Sequence, residues 1–147
     1  MATPDFILAL REKVGHDLLW LNGVVAVVVD DQGRVLLNKR ADTGSWSLIS
    51  GILEPGEQPD EALEREVLEE TGVTIRASRL LDAFTSPIIE YPNGDRAQYL
   101  TVAYRCDVVA GEPRVNDDES LEVRFVPRQE MPKLRDDLQR VVDLAFL

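Results

Sequence analysis

Residues 98–109, QYLTVAYRCDVV, place Leu100, Val102, Tyr104, Cys106 and Val108 on one parity and Thr101, Ala103, Arg105 and Asp107 on the other. A period of two predicts a half-buried strand. Upstream, VVAVVV and RVLLNKR flank DDQGR, which reads as a hairpin. WSLIS is a short strand leading into a loop at Gly51, and VTIRASRLLDAF and LEVRFV are further β-leaning runs. Between them YPNGD is a turn. Two segments carry the helical period instead. Phe6, Leu10 and Val14 fall four apart with Ile7 beside them, an amphipathic N-terminal helix. Leu134, Leu138, Val141, Val142 and Ala145 predict a closing helix packed on the sheet. Strands interspersed with helices predict an α/β class, a mixed β-sheet sandwiched between helices in α/β/α layers.

One further helix is written in residues 51–73, GILEPGEQPDEALEREVLEETGV. Pro59 suits the first helical position, where a missing N–H costs nothing. Asp60 and Glu61 follow where the helix dipole favours negative charge. Gly72 suits the left-handed residue just past the end. These signals predict a helix from Pro59 to Thr71. At 100° per residue Leu63 and Val67 face the core, and Glu66, Glu69 and Glu70 cover the arc beside them. Arg65 has Glu61 and Glu69 at four residues' distance, whereas Glu66 and Glu70 have no cation so placed. A Glu pair at that spacing costs a few tenths of a kcal/mol on an exposed helix, and more beside a low-dielectric core. Two readings fit: a plain acidic face, or a hard-oxygen site for magnesium or manganese, which also accept phosphate oxygens.

Composition narrows the function. The 147 residues fit one domain, 1–147. Their 44% hydrophobic and 29% charged content suits a core with a solvated surface. No apolar run has membrane-spanning length, and the first residues have no secretory pattern. The single cysteine, Cys106, excludes an internal disulfide and fits a cytoplasmic location. Its alternating context predicts a core position, and His16, the only histidine, leaves no Cys–His pair. A net charge of -11 repels nucleic acid and anionic membranes. It also repels a small anionic substrate unless a local cation reverses the field.

Gly51, five residues, Glu57, seven residues, Arg65-Glu66-Val67, one residue, Glu69-Glu70, one residue, Gly72-Val73: this spacing resembles the Nudix box with every defined position filled. The flanks are similar too, with RVLLNKR and Trp46 before the box and a helix at the end. The resemblance implies the Nudix fold and a MutT-like, metal-dependent hydrolase of a nucleoside diphosphate linked to another group. A nucleoside triphosphate and an ADP-ribose-like compound are both open as substrate. It implies that Glu66, Glu69 and Glu70 bind Mg2+ or Mn2+, with Glu57 a nearby acidic partner and Arg65 orienting the carboxylates. The carbonyl of Ser50 is a further metal ligand by the same resemblance, although glycine is commoner than Ser50 there, and proline commoner than Ile49. The general base then comes from the box or from the acidic loop, where Glu119 and Glu122 are candidates with Glu119 favoured. Trp46, beside the box, is the better placed of the two tryptophans to stack on a base. The partner implied is a small nucleotide, with neither nucleic acid nor membrane, and a homodimer is left open. The competing reading is a non-catalytic module that binds a nucleotide metabolite on the same fold. Pro87, Tyr91 and Pro92 fall in the region that marks substrate branches and favour none.

Overall fold

Every side chain from Val24 to Val29 is buried, so the strand that carries them has both faces covered. In the computed structural model, which describes residues 3–147, this is β1, Leu19–Val29. The other elements are α1 (Asp5–Val14), β2 (Val35–Arg40), β3 (Trp46–Ile52), α2 (Pro59–Thr71), β4 (Thr74–Thr85), β5 (Ile89–Glu90), β6 (Arg96–Ala110), β7 (Ser120–Val126) and α3 (Asp136–Ala145). The sheet runs β4-β6-β1-β3-β2-β7, with β5 attached to β6. Its β1–β6 pair is parallel and its other pairs antiparallel, a mixed sheet.

The parity of β1 divides the core. Val25, Val27 and Val29 pack with Leu37, Leu48 and Ala103 under Leu138, Val141 and Val142 of α3. Val24, Ala26 and Val28 pack with Leu36, Ile49 and Cys106 under Ala62, Leu63 and Val67 of α2. The layers are therefore helix, sheet, helix, as predicted. A smaller cluster of Ile7, Leu21, Ile52 and Ala97 seats α1 at one end of the sheet. Among the described residues no helix is long and apolar enough to cross a membrane.

Three local expectations are corrected. The hairpin of β1 and β2 pairs only at Val29 with Val35, because β3 takes the place between them. In α1 only Ile7 is fully buried, with half-buried Phe6 beside it, and Leu10 is exposed, since the helix sits at the sheet end. In β6 the apolar parity does not separate inside from outside. Cys106 faces α2, Thr101 and Ala103 are buried on the other parity, and Leu100 is exposed. A strand between two helical layers has no solvent face to mark. The C-terminal helix closes as expected, with Leu134 buried just before it.

Leu37→Ala is expected to lower the unfolding free energy by about 2–5 kcal/mol in urea titrations, the range for a truncated core leucine. Trp20, 58% exposed at the start of β1, is the control: Trp20→Ser is expected to change it by less than ~0.5 kcal/mol. Equal effects would contradict the two-layer core.

Candidate active site

Helix α2 spans Pro59–Thr71, the predicted limits, with proline in its first turn. Gly72 ends it at φ 74°, and its N–H donates to the Leu68 carbonyl. Ala62, Leu63 and Val67 fix the apolar face. That face carries two carboxylates inward: Glu66 is 3% exposed and Glu70 is 4% exposed. Glu69, on the far side of this pair, is exposed.

Glu66 lies against the backbone of β3. A Cβ placed on Gly51 would come within 2.5 Å of the Glu66 Cγ and Cδ, so a larger residue there requires the Glu66 side chain to move. Ser50, the departure from the usual glycine, is half-buried and lies beside the cavity described below. Burial lifts the Glu66 carboxyl from an ordinary value near 4.5 to about 7. Burial first, and then the neighbouring Glu66 charge, pushes Glu70 up as well.

Arg65 gathers the other side of the box. Its Nε donates to Glu57 Oε2 at 3.0 Å and its Nη2 to Glu57 Oε1 at 3.0 Å, a two-pronged clamp. Its Nη1 donates to Glu66 Oε1 and Glu69 Oε2, each at 3.3 Å. The hydrogen bonds to Glu57 lead the causes that raise the arginine further above its ordinary range. Partial burial works against Glu57, but those same bonds and the Glu54 N–H hold it below the usual carboxylate range. The expected partner Glu61 makes no ion pair with Arg65 among the described contacts; the loop residue Glu57 displaces it.

Glu70 opens on a cavity of about 380 Å3, lined also by Asn38, Arg40, Asp42, Ser50 and Glu119. A second cavity of about 780 Å3 shares Arg40, Asp42 and Ser50 with the first and extends to Trp46. Trp46 is half-buried, with the Arg124 guanidinium 5.0 Å from its ring centre. Of the two acidic-loop candidates, Glu119 lines the first cavity, whereas Glu122 sits exposed on β7 opposite Lys39. Cys106 is buried, its thiol pushed up to about 12 by burial, and His16 is exposed beside Asp95. Neither supplies a nucleophile.

The site contains residues that the sequence reading passed over. Among the described residues Arg40 is the cation common to both cavities, and two hydrogen bonds to Asp42, at 2.9 and 2.7 Å, fix its plane. The signal was a basic residue closing a hydrophobic strand in an acidic chain. Asn38 is 4% exposed. Its Nδ2 donates to Ser120 Oγ at 3.0 Å, and among the described residues nothing donates to its Oδ1. An unpaired buried carbonyl costs about 1–3 kcal/mol. Here the signal was an amide inside VLLNKR.

In its donor chemistry the site fits a hard divalent cation: buried carboxylates with raised proton affinity gain from any cation brought to them. The oxygens are not prearranged for one. Among the described residues no three His, Cys, Asp or Glu side chains are gathered closely enough to hold an ion as they stand. Glu66 and Glu70 face inward together, while Glu69 lies out toward Arg65.

Two outcomes follow. Gly51→Ala is expected to move the Glu66 side chain and weaken magnesium binding measured by calorimetry; an unchanged affinity would mean that Glu66 does not lie against β3 this closely. In the chelated protein, Glu66 and Glu70 bind protons more tightly folded than unfolded, where carboxyls titrate near 4.5. That stabilisation is full below 4.5 and is lost as pH rises through about 7 for Glu66 and about 8 for Glu70. Thermal melts in chelator should therefore give a lower Tm at about pH 8 than at about pH 5, with a smaller difference in Glu70→Gln. The same difference in both proteins would refute the assignment.

The NUDIX domain model matches residues 20–145. The chain is 31% identical over 129 residues to an ADP-ribose pyrophosphatase of Methanocaldococcus jannaschii, covering 84% of this chain and 73% of that one. It is 35% identical over 127 residues to an 8-oxo-dGDP phosphatase of Homo sapiens, covering 83% of this chain but 38% of the human protein. The solved structure of a MutT NUDIX hydrolase from Burkholderia pseudomallei superposes with a TM-score of 0.70 at 27% identity, over 86% of this chain and 98% of that one. With the NUDIX domain model spanning residues 20–145, the chain belongs to the Nudix family of hydrolases.

Proposed function

We propose that the chain hydrolyses the pyrophosphate linkage of a nucleoside diphosphate joined to another group, using magnesium or manganese. The observation that carries this reading is the pair of buried carboxylates, Glu66 and Glu70, beside a cleft whose shared cation is Arg40. In a chain of net charge -11, a pyrophosphate needs local positive charge to enter. Arg40, its plane held by Asp42, offers its remaining N–H groups to a phosphate oxygen, and the metal would supply the net positive charge.

Glu66, Glu69, Glu70 and the Ser50 carbonyl would hold the metal. When bound, it neutralises charge on phosphate oxygens and lowers the pKa of water. Arg65, clamped by Glu57, holds one oxygen each of Glu66 and Glu69, and the other oxygen of each would be left for the metal. Glu119 takes the proton from the attacking water. It lines the cavity that Glu70 enters, and its loop joins β7 beside Arg40. The nucleoside lies along the cleft, with Trp46 available to stack on a base. Relatives named for ADP-ribose and for 8-oxo-dGDP support a nucleoside diphosphate group as the shared element.

The test is a substrate panel of ADP-ribose, nucleoside diphosphate sugars and nucleoside triphosphates, assayed with and without magnesium. Magnesium-dependent release of a nucleotide or phosphate is expected; binding without turnover across the panel would leave a nucleotide sensor instead. Glu69→Gln is expected to keep the wild-type melt and lose nearly all turnover. Glu119→Gln is expected to lower kcat by ~10²–10⁴-fold, the range for removal of a general base, while Glu122→Gln stays near wild type. If both keep full kcat, the base is in the box. Saturating magnesium is expected to raise Tm by mass action on the folded state, and sodium chloride at equal ionic strength is not.

A further inference from the structure

Asn38 is placed where the sheet would otherwise carry an apolar side chain. It follows Leu36 by two residues on β2 and so faces the α2 side, where Leu36 packs with Ile49 and Val67. It lines the cavity entered by Glu70 and Glu119. Ser120 Oγ holds its Nδ2, and Ser120 is the neighbour of Glu119. The Asn38 Oδ1 is buried, and among the described residues nothing donates to it.

A carbonyl oxygen needs a donor. Phosphate oxygens are acceptors, as are ionised carboxylates. The Arg40 guanidinium is turned to Asp42. The donor that hydrolysis itself brings is water. We infer that Asn38 is a positioning residue for the attacking water, its Oδ1 accepting one O–H while the Glu119 carboxylate takes the other proton. The water oxygen then forms the new P–O bond, the anhydride P–O bond breaks, and its electron pair leaves on the departing phosphate. With both hydrogens committed, the two lone pairs of the water are fixed in direction and one can be aimed at phosphorus, which is an orientation effect on kcat. The anchor to Ser120 keeps the amide from turning as substrate enters. This inference rests on the hydrolytic reading given above.

Asn38→Leu, Asn38→Asp and Ser120→Ala separate this role from a structural one. Asn38→Leu is expected to lower kcat by ~10- to 100-fold, with KM and calorimetric magnesium affinity within about twofold and Tm not reduced. Asn38→Asp, which keeps an acceptor at the same reach, is expected to recover most of kcat. Ser120→Ala, which removes the anchor but leaves the amide, is expected to lower kcat by less than Asn38→Leu does. If Asn38→Leu does not fold, Asn38→Ser, too short to place an oxygen at the Oδ1 position, carries the same expectation. The inference is overturned by an unchanged kcat in Asn38→Leu. It is equally overturned by a loss confined to KM, which would make Oδ1 an acceptor for a substrate group, or by a Ser120→Ala loss equal to that of Asn38→Leu. An Asn38→Asp variant as slow as Asn38→Leu overturns it too, since the group at work would then be a donor. A wild-type chain that turns over nothing on the panel refutes the hydrolytic reading and this one together; an active wild type with an indifferent Asn38 refutes this one alone.

Discussion

The site depends on how closely α2 approaches β3. Glu66 occupies the volume that a side chain at position 51 would fill, so glycine there leaves room for its carboxylate against the strand. That closeness takes Glu66 and Glu70 out of water and raises their proton affinity. It also leaves Arg65, the next residue around the helix, at the surface edge, where it reaches Glu57, Glu66 and Glu69 at once. Buried like charges oppose the fold. The glycine that permits their burial and the arginine that partly compensates it are therefore parts of a single arrangement.

Such an arrangement needs a rigid frame. The valines of β1 supply it by feeding one parity to each helix, so α2 and α3 clamp the same strand from opposite sides. α3 is held at its far end by cations from the sheet. Its last turn has no basic residue of its own. Arg105 Nη1 donates to the Ala145 carbonyl at 2.7 Å, and Arg79 Nη2 to the same oxygen at 3.1 Å. These charges meet the negative end of the helix dipole and tie the helix to β4 and β6.

The helical box was readable because its signals are local. Proline at the start, glycine at φ 74° and the apolar pair Leu63 and Val67 all act within a few residues, and they set the limits of α2 without help from the fold. The layer order followed from the same kind of pattern. What could not be read depends on contacts between distant segments. The preference of Arg65 for Glu57 over Glu61 comes from a loop folding back on the helix. Asn38, Arg40 and Asp42 became site residues only when β2 was placed beside β3 and β7. The parity of β6 misled for a physical reason: period two reports one wet face, and β6 has helices on both sides. Leu10 misled for the opposite reason, since α1 fully buries only a single position.

The parallel pairing of β1 with β6 has a kinetic side. Partners such as Leu19 and Ala97, or Val29 and Asp107, are about eighty residues apart in sequence. Closing so long a loop is slow, because chain entropy is lost before any contact repays it. Until β6 arrives, the central strand has an open edge of valines, and the box helix rests on half a sheet. The segment that holds the carboxylates is complete early in synthesis, yet the surface that gives them a fixed geometry is finished only when the last third of the chain has docked. Competence in this molecule is therefore a property of the whole topology, acquired late and all together.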